Sequence, residues 1–199
     1  MTTKDKSLPA LRKEIAACRL CEAHLPLGPR PVVRFSGTAR LVIVGQAPGV
    51  KVHESGVPWQ DNSGDRLRQW LDIAQEDFYD ADKVALVPMG FCYPGKGKSG
   101  DLPPRRECAP TWHGAILERL PVPHLMLLVG SYAQKHYLPD DKRGMTAKVN
   151  AFRAFLPGFF PLPHPSWRST RWMQDNPWFK NEVLPALRAE VRRALRGKS

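Results

Sequence analysis

The chain has 199 residues, with 30 Lys+Arg against 19 Asp+Glu, a formal charge of +11 at neutral pH. That length suffices for one domain with its own core, and 42% hydrophobic with 25% charged residues are ordinary globular proportions. The longest clean apolar run, Leu125–Val129, is far below the ~18 residues a membrane span needs, and Met1–Lys13 is charged without an apolar stretch. A soluble, unexported, cytoplasmic protein is therefore expected. Four cysteines without a secretory signal point to metal binding, catalysis or burial rather than to a disulfide framework. The positive excess attracts polyanions and favours nucleic acid over an acidic small molecule, with a basic but inert surface as the alternative.

In chain order, Leu8–His24 carries apolar residues at helical spacing (Leu11, Ile15, Ala16, Leu20) and contains Cys18 and Cys21. A Pro/Gly-rich loop follows, and Arg40–Val44 reads as a buried strand that runs into the turn Gly45-Gln-Ala-Pro-Gly49. Ser63 is the expected N-cap of a helix through Ala74 with Leu67, Trp70, Leu71 and Ala74 on one face. Val84–Val87 is a second short strand, Cys92–Pro104 a Gly/Pro/Lys-rich loop, and Arg105–Leu120 a helix. Leu125–Val129 is a third strand opening into a helix at Gly130-Ser-Tyr-Ala133, and Phe155–Leu162 leads to His164-Pro-Ser-Trp-Arg168. The last helix, Asn181–Arg196, places Val183, Leu184, Leu187, Val191 and Leu195 inward and Arg188, Arg192, Arg193 and Arg196 toward solvent. Four strands alternating with helices predict an α/β protein: a three-layer α/β/α sandwich on a mainly parallel four-stranded sheet, with its working loops at the carboxyl ends of the strands. With no internal repeat and no long linker, residues 1–199 are expected to form a single domain.

The turns after the first and last strands, Gly45-Gln-Ala-Pro-Gly49 and His164-Pro-Ser166, are short and bring backbone close to a ligand. Taken in this order, they make the chain resemble the uracil-DNA glycosylase superfamily, whose first motif is G-[EQIL]-[ADN]-P-[GYA] and whose last is H-P-S. The similarity runs from Cys18 to the final helix and lies nearest the bacterial and archaeal families four and five. Those families have a C-x2-C pair before the first strand and two further cysteines past the second. Here Cys18 and Cys21 have two residues between them, and Cys92 and Cys108 have fifteen. The resemblance implies that the four thiolates hold a structural four-iron four-sulfur cluster, a soft-ligand site. A tetrahedral zinc and four reduced buried cysteines are the chemical alternatives.

The resemblance also implies a DNA partner containing a deaminated base, acted on by a monomer, and it supplies roles for residues here. Trp59, in Gly56-Val-Pro-Trp59, stands where the family has a Phe that stacks on the extruded base; a loop anchor is the plain alternative. His164 corresponds to the histidine that assists base departure, and a neutral imidazole donor is enough for that. The other five histidines have no motif support. Gln46 occupies the first-motif position where an acidic residue can stand; its amide positions a water but cannot offset an oxocarbenium charge. Asp61, in Asp61-Asn-Ser-Gly64, matches the family-five carboxylate counted back from Ser-Gly, with helix capping as its alternative use. Gly45, Ala47 and Ser166 complete the expected substrate contacts. Trp167, Arg168 and Arg171 follow the last motif, where the superfamily presses a loop into the minor groove, and Lys96 and Lys98 are further expected DNA contacts.

Pro88 stands where uracil-selective families carry an Asn that reads the base edge, so hypoxanthine and xanthine become acceptable beside uracil. No lysine sits at a motif position for Schiff-base chemistry, so a monofunctional glycosylase is expected. Two rivals remain: a damage-binding protein of the same fold without base release, and a cysteine-cluster protein acting on a small molecule, which leaves the charge and Arg168 unexplained.

Overall fold

The computed structural model describes residues 7–196. In chain order, α1 (Leu8–Ala16) precedes β1 (Leu41–Val44), and α2 (Val50–Ser55), α3 (Asn62–Leu71) and α4 (Gln75–Tyr79) lead to β2 (Val84–Leu86). A small hairpin of β3 (Lys96–Gly97) and β4 (Gly100–Asp101) precedes α5 (Cys108–Leu117), β5 (Leu125–Val129), α6 (Ser131–Tyr137) and α7 (Met145–Asn150). β6 (Phe159–Leu162), α8 (Ser169–Asp175) and α9 (Leu184–Arg196) complete the fold. The four long strands form one parallel sheet in the order β2-β1-β5-β6, with Leu41 in register with both Val84 and Leu125, and Leu127 with Phe160.

Alternation along each strand divides the core in two. Leu41, Ile43, Leu127 and Val129 face one side, against Leu67 and Leu71 of α3 and Leu187 and Val191 of α9. Val42, Val44, Met126 and Leu128 face the other, against Leu11 and Ile15 of α1 and Ala115 and Ile116 of α5. Both faces are apolar because both are covered by helices, which is why these strands read as unbroken hydrophobic runs. The architecture is the expected three-layer α/β/α sandwich.

Several element ends differ from the sequence reading. The helix at the start stops at Ala16, so Cys18 and Cys21 lie in turns beyond it. Asp61, not Ser63, is the N-cap of α3: it is extended, and its Oδ1 accepts the Gly64 N–H at 2.9 Å. In the last helix Arg188 is not a simple solvent-facing charge, since its guanidinium donates to the carbonyls of Gln69 and Trp70 at the end of α3.

Two glycines seat Trp59. A Cβ at Gly64 would lie 1.8 Å from the Trp59 carbonyl oxygen, and one at Gly45 would lie 2.6 Å from Trp59 Cζ2. Between them Trp59 holds a left-handed backbone, φ 59°, a conformation a bulky residue keeps only when its surroundings enforce it.

Beyond β2, the chain continues alongside the first-motif turn. Val87 N–H donates to Ile43, Met89 N–H to Gly45 and Gly90 N–H to Gln46, at 3.0, 2.9 and 3.0 Å. From behind, His113 of α5 fixes the same stretch. Its Nε2–H donates to the Pro88 carbonyl at 3.0 Å while the Tyr137 hydroxyl donates to Nδ1 at 2.6 Å. His113 is 2% exposed, and burial pushes its pKa down to about 4, against a small upward pull from the Pro88 carbonyl.

Replacing Gly64 by Ala is expected to lower stability by about 1–3 kcal/mol or more, because a backbone oxygen must move, and urea melts of the variant check this. For His113 the folded pKa lies below the unfolded value, so below pH ~6.5 the unfolded chain takes up a proton that the folded one refuses. Stability is therefore lost as pH falls from ~6.5 toward ~4, by roughly 3 kcal/mol in all, and a His113→Gln variant is expected to lose this slope in melts across that window.

Candidate active site and cysteine pocket

At the carboxyl edge of the sheet, the turns after β1 and β6 meet the segment leading into α3. One cleft is lined by Gly45, Gln46, Ala47, Trp59, Asp61 and His164, six residues that the sequence places up to 119 positions apart (164 − 45). Pro48, Val52, Pro58, Ser63 and Pro88 add to its wall. This is the crevice outside the strand ends where open parallel sheets bind ligands.

Each polar group in the cleft has a definable state. The His164 and Trp59 rings lie stacked, centroids 6.0 Å apart and planes 29° from parallel. Burial holds the His164 imidazole below the ordinary histidine value, and the Asp61 carboxylate draws it part of the way back. At neutral pH this imidazole is uncharged. Asp61 both caps α3 and lines the cleft, with Oδ1 engaged by the Gly64 N–H. Pro88 lines the cleft while its carbonyl is bonded to His113, and a proline side chain offers no hydrogen bond.

Ser166 is not among the cleft-lining residues. Its carbonyl accepts from Arg66 Nη1 at 2.6 Å and from Ser169 Oγ at 2.7 Å, so the last motif turn is anchored to α3 through Arg66. Arg66 was not singled out from the sequence. An arginine on a helix face carries no local signal of a partner a hundred residues away. Gln134, fully buried, likewise holds the end of β6 by donating to the Leu162 carbonyl at 2.9 Å.

The expected DNA contacts, Trp167 and the basic residues, lie outside the cleft lining. Trp167 is 76% exposed, with the Arg168 guanidinium over its ring at 5.4 Å. Arg168 Nη2 also donates to the Ser99 carbonyl at 3.0 Å, which joins the loop after the last motif to the tip of the β3–β4 hairpin. Lys96 and Lys98 are exposed on that hairpin, and Arg171 is exposed with Asp175 at 3.4 Å. Asp101, beside Gly49, was also missed; partial burial raises its carboxyl pKa, Lys96 opposes this and Asp61 adds to it.

Further along the Pro88–Cys92 stretch, Cys18, Cys21, Cys92 and Cys108 line a second, separate pocket together with Arg105 and Trp112. All four cysteines are free thiols. Burial pushes the Cys108 thiol up to about 12 and raises Cys92 and Cys21 as well, with each of the other thiolates adding to the penalty on Cys108. The Phe91 N–H points at Cys108 Sγ at 3.3 Å. Arg105 Nε and Trp112 Nε1 are buried and have no hydrogen-bond partner in the protein. Among the described residues no three His, Cys, Asp or Glu side chains gather closely enough to hold a single metal ion. No helix among them is long and apolar enough to cross a membrane.

A family model described as the uracil DNA glycosylase superfamily matches residues 33–188, which include both motif turns, Trp59, Asp61, Cys92 and Cys108. A parallel four-stranded sheet with these turns converging on one cleft agrees with that match over most of the chain, and the protein belongs to the uracil-DNA glycosylase superfamily.

Proposed function

We propose that this protein is a monofunctional DNA glycosylase that extrudes a deaminated base, uracil first, and hydrolyses its N-glycosidic bond. The observation that carries the reading is the convergence of Trp59, Asp61, His164 and Gln46 on one cleft at the sheet edge. Base excision needs a face to stack on, a donor for the departing base, and a negative group or water opposite the sugar. Trp59 supplies the face, braced by Gly45 and Gly64. The neutral His164 N–H donates to the base oxygen that gains charge as the bond breaks, an effect strengthened by the partial exclusion of water. Oδ2 of Asp61 stabilises the oxocarbenium-like sugar or orients the attacking water, and the Gln46 side chain and Ala47 backbone complete the contacts to water and base. The apolar wall at Pro88 cannot select uracil by a two-way amide contact, so hypoxanthine and xanthine are accepted as well.

Outside the cleft, Trp167 fills the space left by the extruded nucleotide. Lys96, Lys98, Arg168 and Arg171 contact phosphates.

The cysteine pocket belongs to the same reading. Four thiols lining one pocket, Cys108 buried and the other three partly so, that repel one another when ionised, with two donors lacking acceptors, suit an anionic iron–sulfur group better than a single ion, for which no close ligand set is present among the described residues. Cys18, Cys21, Cys92 and Cys108 would hold a four-iron four-sulfur cluster whose contribution is structural, tying the turns after α1 to the loop behind the cleft.

Base release from matched single-stranded and duplex oligonucleotides carrying uracil, hypoxanthine or xanthine, read by alkaline cleavage, tests the activity. Asp61→Ala is expected to slow release about 10²–10⁴-fold, and His164→Ala about 10²–10³-fold, with DNA binding retained. Asp61→Asn keeps a good N-cap while removing the charge. A full rate in that variant would reduce Asp61 to its structural role, whereas binding without release across the whole panel would favour a damage-binding protein. Protein purified without oxygen is expected to be brown, with broad absorption near about 400 nm, and to lose iron and thermal stability on Cys108→Ala; colourless protein containing zinc would overturn the cluster assignment.

A further inference from the structure

Two N–H groups in the cysteine pocket, Arg105 Nε and Trp112 Nε1, are buried without an acceptor. A buried donor left unpaired costs folding free energy, and two around one pocket are directed at something that accepts. They reach it from independent positions. Arg105 precedes α5, and its guanidinium is fixed by Nη2 donating to Glu107 Oε1 at 2.6 Å and bears on the Cys21 thiol. Trp112 lies four residues after Cys108 on α5, a spacing that puts both side chains on the same helix face. A third N–H, that of Phe91, already meets Cys108 Sγ. The pocket is thus lined by four cysteines together with two residues whose buried donors have no acceptor in the protein. Neutral thiols are weak acceptors, whereas the thiolate and sulfide sulfurs of an anionic cluster are strong ones.

We infer that Arg105, through Nε–H, and Trp112, through Nε1–H, donate hydrogen bonds to the sulfur atoms of an iron–sulfur cluster bound by Cys18, Cys21, Cys92 and Cys108, and so raise its reduction potential. This rests on the assignment of the cysteine pocket as a cluster site. The direction follows from charge. Reduction adds an electron to an already negative group, and donors and a guanidinium stabilise the more negative state more strongly. The same contacts oppose oxidation, so they also protect the group from oxidative loss.

The full-length protein, purified without oxygen, is compared with Trp112→Phe, Arg105→Met and the double variant. The wild type is first assayed for iron, acid-labile sulfide and zinc. Iron-free or zinc-containing wild-type protein would overturn the cluster assignment itself, and this inference with it. With the cluster present, each single variant is expected to keep the wild-type iron content while its midpoint potential, followed by electron paramagnetic resonance in a redox titration, shifts to more negative values. The double variant shifts further, and its visible colour bleaches several-fold faster under ferricyanide. A second measurement compares resonance Raman spectra in deuterium oxide: the Fe–S stretching bands are expected to shift in the wild type and to shift less in the double variant, since the Phe91 N–H contributes equally to both. Iron-loaded variants with wild-type potentials, or a deuterium shift as large in the double variant as in the wild type, would overturn the role of these donors while leaving the cluster in place.

Discussion

The hydrogen-bonded pairing of the chain past β2 with the turn past β1 is the constraint on which the rest of the site depends. Val87, Met89 and Gly90 donate to Ile43, Gly45 and Gln46, so the sheet effectively continues beyond its last regular residues into the binding turn. Successive residues of this stretch serve different ends: Pro88 lines the cleft, while Gly90, Phe91 and Cys92 line the cysteine pocket. Buried His113, held by Tyr137, presses on the same stretch through the Pro88 carbonyl. The backbone that leads into the cysteine pocket is therefore bonded directly to Gly45 and Gln46. The two pockets adjoin through this backbone without sharing a lining residue.

Within the cleft, electrostatics and sterics reinforce one another. A partly buried imidazole stays neutral because ionising it there is unfavourable, and the Asp61 carboxylate is too weak an offset to reverse that. The carboxylate in turn cannot drift, since one of its oxygens is bound to the first turn of α3. The glycine that donates this bond is the glycine whose missing side chain admits the Trp59 carbonyl. Asp61, Gly64 and Trp59 thus form one local unit, and the stacked His164 reaches it from the opposite end of the chain, held there by Arg66 and Gln134.

The sheet was legible in the sequence because strands buried on both faces must be apolar throughout, and Leu41–Val44 and Leu125–Val129 are. The motif turns were legible for a related reason: short Gly/Pro segments directly after such strands mark the ligand-binding edge. What was illegible has the opposite character. The β3–β4 hairpin is built from Lys, Gly, Ser and Asp, so no hydrophobic pattern announces it. The N-cap shifted from Ser63 to Asp61 because both residues are good caps, and only the seating of Trp59 against Gly64 decides between them. Arg66, Arg188 and His113 act through backbone carbonyls distant in sequence, and a carbonyl leaves no trace in residue identity.

The strand order carries a consequence for how the protein is made. β1 lies inside the sheet, flanked by β2 and by β5, both of which come later in the chain. During synthesis Leu-Val-Ile-Val leaves the ribosome with both hydrogen-bonding edges open, and its second neighbour is not complete until Val129 has been added. Until then β2, complete at Leu86, can cover only one edge, and an apolar strand with a free edge is the kind of segment that pairs with other chains. The central position that lets β1 carry the binding turn therefore leaves one of its edges unpaired while the 85 residues after Val44, through Val129, are added (129 − 44).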